Sequence, residues 1–233
     1  MTLLETTDLV AHYGDFQALF GISLAVREGQ AIALIGANGA GKTTTLRSIT
    51  GMLPALGRRE ISFMGAPIGH LPPEEIVAMG IAMVPEGRRL FPSLNVEDNL
   101  MMGDYCGRRG PWTLDRVYRL FPVLAERRDA PAMALSGGQQ QMAAIGRALM
   151  TNPRLLLCDE ISLGLSPIAV RDLYAALAQI RSEGTAILIV EQDIGRALKF
   201  ADYVYCLLEG RITLEDRPDR LTREQIKLAY FGV

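Results

Sequence analysis

Long apolar runs are missing from these 233 residues. The longest, such as Leu155 to Cys158 and Ala186 to Val190, fall far below the ~20 residues needed to cross a bilayer. Any action at a membrane therefore requires another chain to do the crossing. Cysteine is scarce: Cys106, Cys158 and Cys206 stand far apart, and no pair has metal-ligand or redox spacing. They read as small buried apolar side chains of a reducing compartment. The opening MTLLETTDLV carries Glu5 and Asp8 and lacks a cationic stretch ahead of a long apolar one, so no signal peptide is expected. A strong charge of either sign is also absent. The formal net charge of -2 argues against a chain built mainly to hold nucleic acid, since such domains are usually strongly basic. His12 and His70 have no metal-binding companion and are expected at the surface or in loops. No internal repeat or low-complexity segment is visible.

What is present is ordinary globular material, 49% apolar and 21% charged, long enough for one large domain or two closely joined ones with a real core. The first 35 residues read as strands: Leu3 to Thr7, Gly21 to Val26 and the almost wholly apolar Ala31 to Ile35, with turns at Tyr13-Gly14-Asp15 and Arg27-Glu28-Gly29. A buried central strand is expected of the third. A helix follows from about Gly41 to Ile49, ended by Gly51. Arg59 to Met64 reads as an edge strand. Between 90 and 150 the texture changes. Leu114, Val117, Phe121 and Leu124 recur at helical spacing, as do Met142, Ile145 and Leu149, so this block is predicted to be a mostly helical insertion that stops at Asn152-Pro153. Trp112 is expected to pack within it. Buried strands are expected at Leu155 to Cys158 and Ala186 to Val190. Between them runs a helix capped by Ser166-Pro167, with Val170, Leu173, Leu177 and Ile180 on one face. Tyr203 to Leu208 and Arg211 to Leu214 flank Glu209-Gly210 as a hairpin. Strands alternating with helices imply a mainly parallel α/β sheet.

Gly36-Ala37-Asn38-Gly39-Ala40-Gly41-Lys42-Thr43 fits G-x-x-x-x-G-K-[ST] between a predicted strand and a predicted helix. Glycines let the backbone wrap an anion closely, and the next helix offers its positive end. Phosphate-loop proteins are themselves the standard example of that geometry. Lys42 is expected to reach the β- and γ-phosphates of a nucleoside triphosphate, and Thr43 to offer its hydroxyl to Mg²⁺. The bland alternative is an incidental glycine-rich turn. The loop alone does not separate a kinase, a GTPase, a helicase or a transport motor.

Leu155-Leu156-Leu157-Cys158-Asp159-Glu160 is an apolar strand ending in two carboxylates. In a phosphate-loop fold it is expected beside the phosphate-loop strand, with Asp159 near Mg²⁺, a hard cation that takes oxygen ligands. Glu160 would then lie near the γ-phosphate as general base for the attacking water. An exposed acidic turn is the competing reading. Leu135-Ser136-Gly137-Gly138-Gln139, twenty-three residues before Asp159 counted from Ser136, opens another helix. Hydroxyl, bare N–H groups and helix dipole make a second anion-binding geometry, or simply a capped helix.

With LSGGQ intact at Leu135 to Gln139, the sequence resembles the ABC ATPase family. It is especially similar to the ATP-binding subunits of branched-chain amino acid (hydrophobic amino acid uptake) importers. The runs HYGDFQAL, IGANGAGKTT, VPEGRRLFPSLNVEDNL, GRALMTNPRLLL, SLGLSP and VEQD carry the likeness, which extends from about Leu3 to Gly232. The resemblance implies an α/β fold: a P-loop NTPase (RecA-like) core with an N-terminal antiparallel β subdomain and an inserted helical subdomain. The expected division is about 1–88 and 151–233 for the core with its β subdomain, and about 89–150 for the helical signature subdomain. It also implies ATP and Mg²⁺ as ligands, with ATP bound by Gly36, Ala37, Asn38, Gly39, Ala40, Gly41, Lys42, Thr43 and Thr44. Tyr13 would stack on adenine, unless it is only an edge-strand tyrosine. Ser136, Gly137, Gly138 and Gln139 would grip the ATP of a second ABC ATPase subunit, a further copy or a paralogue. Transmembrane permease subunits and, indirectly, a periplasmic or extracellular solute-binding protein are the implied partners. A cytoplasmic place on the inner face of the cell membrane follows.

Three positions depart from the family pattern. Glu86, in VPEG, stands where most members have glutamine; an ionised carboxylate accepts but does not donate, so it could assist Mg²⁺ or the attacking water. Gln192, in VEQD, replaces a switch histidine: its amide donates to γ-phosphate but does not titrate near neutrality. Ile161 replaces the proline after Glu160. Arg88-Arg89 and Arg127-Arg128 read as solvated charge, although the first pair sits where family members meet their membrane partner. Importers of amides, urea or aromatic acids remain alternatives to branched-chain amino acids. The rivals from other classes are a soluble ABC ATPase acting on ribosomes or DNA, and a regulatory nucleotide-binding module without turnover. One ATPase unit and no sustained heptads speak against the first, and Glu160 against the second.

Overall fold

Strand-forming and helix-forming segments alternate along the chain, and the computed structural model describes residues 1–53 and 60–232. In chain order the elements are β1 (Thr2–Tyr13), β2 (Phe16–Arg27), β3 (Ala31–Gly36), α1 (Lys42–Ile49), β4 (Glu60–Phe63), β5 (Ala66–Pro67), α2 (Pro73–Met79) and β6 (Ile81–Val84). They continue with α3 (Val96–Met101), α4 (Leu114–Leu120), α5 (Pro122–Glu126), α6 (Gly137–Leu149), β7 (Leu155–Asp159), α7 (Pro167–Ser182), β8 (Ala186–Glu191), α8 (Ile194–Phe200), β9 (Tyr203–Leu208), β10 (Arg211–Asp216) and α9 (Arg223–Phe231). Arg59, expected to open the edge strand, lies outside the described residues. Tertiary contacts divide the chain into two compact units, Met1–Ile76 with Ala186–Val233, and Val77–Thr185.

In the first unit, β1 and β2 form a long antiparallel pair that β4 and β5 extend, in the order β2-β1-β4-β5. The sequence predicts only short pieces of these two strands. Asp8 explains the difference: with φ of 44° it makes a bulge, and its N–H donates to Ser23 Oγ at 3.0 Å. The register shifts between Thr6 and Leu9, so apolar alternation is broken while the strand continues. The same unit holds β3 between β8 and β9, parallel to both. Every residue of β3 and of β8 is buried, as strands covered on both faces must be. β10 closes the group antiparallel to β9. Its turn uses Glu209 and Gly210 with φ of 48° and 73°, a two-residue loop whose twist matches the flanking strands.

The second unit pairs β6 with β7 in parallel and carries the helical block. The spacing of Leu114, Val117, Phe121 and Leu124 is divided between α4 and α5, because Pro122 starts a new helix rather than continuing the old one. Val117, Phe121, Leu124 and Trp112 are buried. α6 packs against α3, α5 and α7. Gly146 permits this approach: a Cβ there would stand 2.7 Å from Leu100 Cδ2. One expectation is corrected. Both edges of β3 are taken by β8 and β9, so the acidic strand β7 is not its neighbour and pairs with β6 instead.

Candidate functional site

The carboxyl end of β3 runs straight into the glycine loop. Gly39 and Gly41 have φ of 82° and 104°, a left-handed path closed to most side chains. Gly36 is required for space: a Cβ would lie 2.4 Å from the Leu207 carbonyl oxygen. Gly41 forms the N-cap of α1 without a side-chain cap, at a helix end whose geometry supplies no intrahelical acceptor to the first-turn N–H groups and favours an anion. Lys42 is 4% exposed, and its Nζ donates to the carbonyls of Gly36 at 2.8 Å and Ala37 at 3.1 Å. The ammonium thus folds back over the loop it belongs to. Below, the β9–β10 turn braces the loop, for the Gly210 N–H donates to Ala40 O at 2.9 Å.

Tyr13, 42% exposed at the end of β1, places its hydroxyl 3.5 Å from Thr44 Oγ1. An aromatic ring therefore stands beside the helix that follows the cradle. Gln192 arrives from the other side: Glu191 is the register partner of Ile35, so Gln192 leaves β8 level with Gly36. Asp193 then caps α8, accepting from the Arg196 N–H at 3.0 Å. Tyr13, residues 36–44 and Gln192 all belong to the first unit.

The acidic residues belong to the second unit. Val84 is level with Cys158 in the parallel β6–β7 pair. Glu86 and Glu160, each two residues further on, therefore leave at the same edge. Asp159 is 1% exposed. Glu160 has φ of 46°, a conformation that a non-glycine residue holds only where its surroundings impose it. Ile161, in place of the family proline, is buried and anchors the turn in which the Leu163 N–H donates to Glu160 O at 3.1 Å. Glu86 is exposed.

Ser136 is the N-cap of α6 in a reciprocal capping box: its Oγ accepts from the Gln139 N–H at 3.4 Å, and its N–H donates to Gln139 Oε1 at 3.0 Å. The N–H groups of Gly137 and Gly138 lie in the turn that helix geometry leaves without intrahelical acceptors. Space demands the second of these glycines, whereas the first faces only the end of a flexible side chain. A Cβ on Gly138 would meet Ala169 Cβ at 2.8 Å, and one on Gly137 would meet Arg88 Nη2 at 3.0 Å. Arg88 is thus not solvated charge. Its Nη1 donates to Gln140 Oε1 at 2.9 Å. Sequence reasoning passed over Arg88, Ala169 and Gly210 as partners of these loops; the positive φ demanded at Gly210 was the only local signal.

A buried parallel strand, a glycine cradle capped by its own lysine and a helix that starts at a glycine without a side-chain cap define a phosphate-loop nucleotide-binding protein. The chain belongs to the ABC transporter family, whose match covers residues 19–162 and takes in the cradle, the Ser136 tip and the acidic strand end. As such it binds nucleotide and hydrolyses ATP as a transporter ATPase. It is 43% identical to the high-affinity branched-chain amino acid transport ATP-binding protein BraG of Pseudomonas aeruginosa, over 99% of this chain and 100% of that one. The probable branched-chain amino acid transport ATP-binding protein LivG of Methanocaldococcus jannaschii is 30% identical over 97% of this chain and 93% of its own. A solved ATP-binding cassette of an ABC transporter in its ADP conformation has a TM-score of 0.81 at 29% identity, covering 98% of this chain and 94% of that chain. Among the described residues no helix is long and apolar enough to cross a membrane.

Proposed function

We propose that this chain is the ATP-hydrolysing subunit of an importer for branched-chain amino acids or a related small solute. The observation that carries this reading is the presence, in one chain similar to BraG along its whole length, of a cradle at Gly36–Thr43 and a capped tip at Ser136–Gln139. Residues 36–44, led by Lys42, bind the triphosphate, and Tyr13 stacks on adenine. Ser136, Gly137, Gly138 and Gln139 reach the nucleotide of a second ATPase subunit. Glu160 takes the proton of the attacking water, Gln192 donates to the γ-phosphate, and Glu86 orients the water or the ion. Thr43, Asp159 and Glu86 offer hard oxygen donors that suit Mg²⁺. Bound there, Mg²⁺ would neutralise charge on the β- and γ-phosphates.

In this reading residues of about 1–88 and 151–233 form the catalytic core with its β subdomain, and about 89–150 the helical signature subdomain. Permease subunits perform the crossing, a solute-binding protein delivers the cargo outside, and this chain sits peripherally on the cytoplasmic face. The test is to co-express the chain with the permease and binding-protein genes beside its own and measure leucine uptake into proteoliposomes. Uptake that needs ATP on the side of this chain and is abolished by Lys42→Ala is the expected result. ATP turnover indifferent to the permease and to every solute offered would overturn the transport reading.

A further inference from the structure

Arg88 has no part in the roles given so far, yet its backbone and side chain are both held in unusual places. Gly87, Arg88 and Arg89 have φ of 76°, 65° and 49°. Glycine adopts such values freely; two consecutive arginines do so only under constraint. The constraint is visible. Arg147 Nη2 donates to Arg88 O at 3.2 Å, and the Arg147 guanidinium lies 5.3 Å from the centroid of the Phe91 ring. Arg88 Nη1 donates to Gln140 Oε1 at 2.9 Å, and Gln140 Nε2 donates to Leu135 O at 3.0 Å. The guanidinium lies against Gly137, where a Cβ would stand 3.0 Å from its Nη2. It therefore rests on the first turn of α6, at the helix end whose dipole repels a cation. A neutral side chain would brace Gln140 without that repulsion. An arginine gains once an anion comes to the same tip.

We propose that Arg88 is a positioning residue that latches the loop carrying Glu86 to the tip formed by Ser136–Gln140, so that loop and tip move together. The proposal rests on the reading of that tip as the grip on a partner's triphosphate. It links the residue that attends a chain's own nucleotide to the residues that attend its partner's.

Hydrogen exchange on the full-length, nucleotide-free chain tests the latch directly. Arg88→Ala is expected to speed exchange of the amides at 139–141 by about tenfold. Gln140→Ala should do the same, and the double variant should add nothing further. Lysine at position 88 should not restore protection, because an ammonium lacks the planar fork that reaches Gln140 while lying on Gly137. Arg88→Gly, relieved of the left-handed strain, is measured beside Arg88→Ala so that a folding defect is separated from a lost latch. In the assembled transporter, kcat for ATP should fall about tenfold while KM changes by less than about twofold. Unchanged exchange in both Arg88 variants, full rescue by lysine, or a loss confined to KM overturns the proposal. Ser136→Ala separates the two readings. Normal turnover in that variant removes the grip itself, whereas loss there with normal exchange and turnover in Arg88→Ala removes only the latch.

Discussion

Glu160 sits where two buried neighbours, Asp159 and Ile161, pin the chain on either side of it, and its φ of 46° costs about 1–3 kcal/mol. The direction of its carboxylate is therefore set by the main chain as much as by its own rotamer, which is what a base that must meet a water in one geometry requires. Glu160→Gln keeps size and backbone and removes only the proton acceptor. It is expected to slow phosphate release by about 10²-fold or more while nucleotide affinity is retained, and turnover near that of the parent would remove Glu160 from the base role. Gln192 is the complementary case. It leaves β8 level with Gly36 carrying an amide, so this position supplies no titrating limb between about pH 5.5 and 7.5. Gln192→His is expected to introduce one in the pH–rate profile of hydrolysis; profiles that superimpose would argue that the side chain does not meet the phosphate. At this scale motif and spacing singled out Lys42 and Glu160 as candidates, and the family resemblance singled out Glu86 and Gln192. Backbone angles were not legible, because nothing in the identity of Glu160, Arg88 or Arg89 announces a left-handed conformation that distant contacts impose.

Elements fix these residues through contacts remote in sequence. The β9–β10 turn supports the cradle from 170 positions away, the separation of Ala40 and Gly210, through the Gly210 N–H. A side chain at 210 has no room: its Cβ would come within 2.3 Å of Ala18 O, at a φ of 73°. Gly210→Ala is expected to destabilise the chain by about 3 kcal/mol, contact and backbone strain combined, and to weaken ATP binding as the loop shifts. Gly65→Ala is the control, for its Cβ meets nothing within 4 Å and only its φ of 80° opposes the change, at about 1 kcal/mol. Urea midpoints and ATP affinities for the two variants decide the matter, and equal effects would mean that the turn does not brace the loop. Apolar runs made β3, β7 and β8 readable because buried parallel strands need no alternation. β1 and β2 were read as fragments because the bulge at Asp8 breaks the period that marks a strand. The place of β7 was misjudged for a different reason: neighbour order in a parallel sheet is set by crossovers, and local pattern carries no trace of it.

At the scale of the whole molecule, the proposed function assigns the cradle and the tip to different nucleotides, with two chains meeting head to tail. That arrangement makes a sharp demand on mixtures. A chain with Lys42→Ala keeps a sound tip, and a chain with Ser136→Ala keeps a sound cradle. Alone, each pairs with its own kind and every site contains one defect, so hydrolysis is lost. In a mixed pair both defects fall in one site, while the other joins the sound cradle to the sound tip. Random pairing makes half of the pairs mixed, each with one of two sites intact, so independent sites should recover about a quarter of the parent's activity. A chain whose natural mate is a paralogue is tested by placing one defect on each partner: both defects in one site leave the other working, whereas one defect in each site silences both. Phosphate release on mixing the purified variants measures this. Folded variants that form mixed pairs with ATP and yet recover nothing in either format would mean that the two grips do not share a nucleotide, whatever their individual geometry suggests.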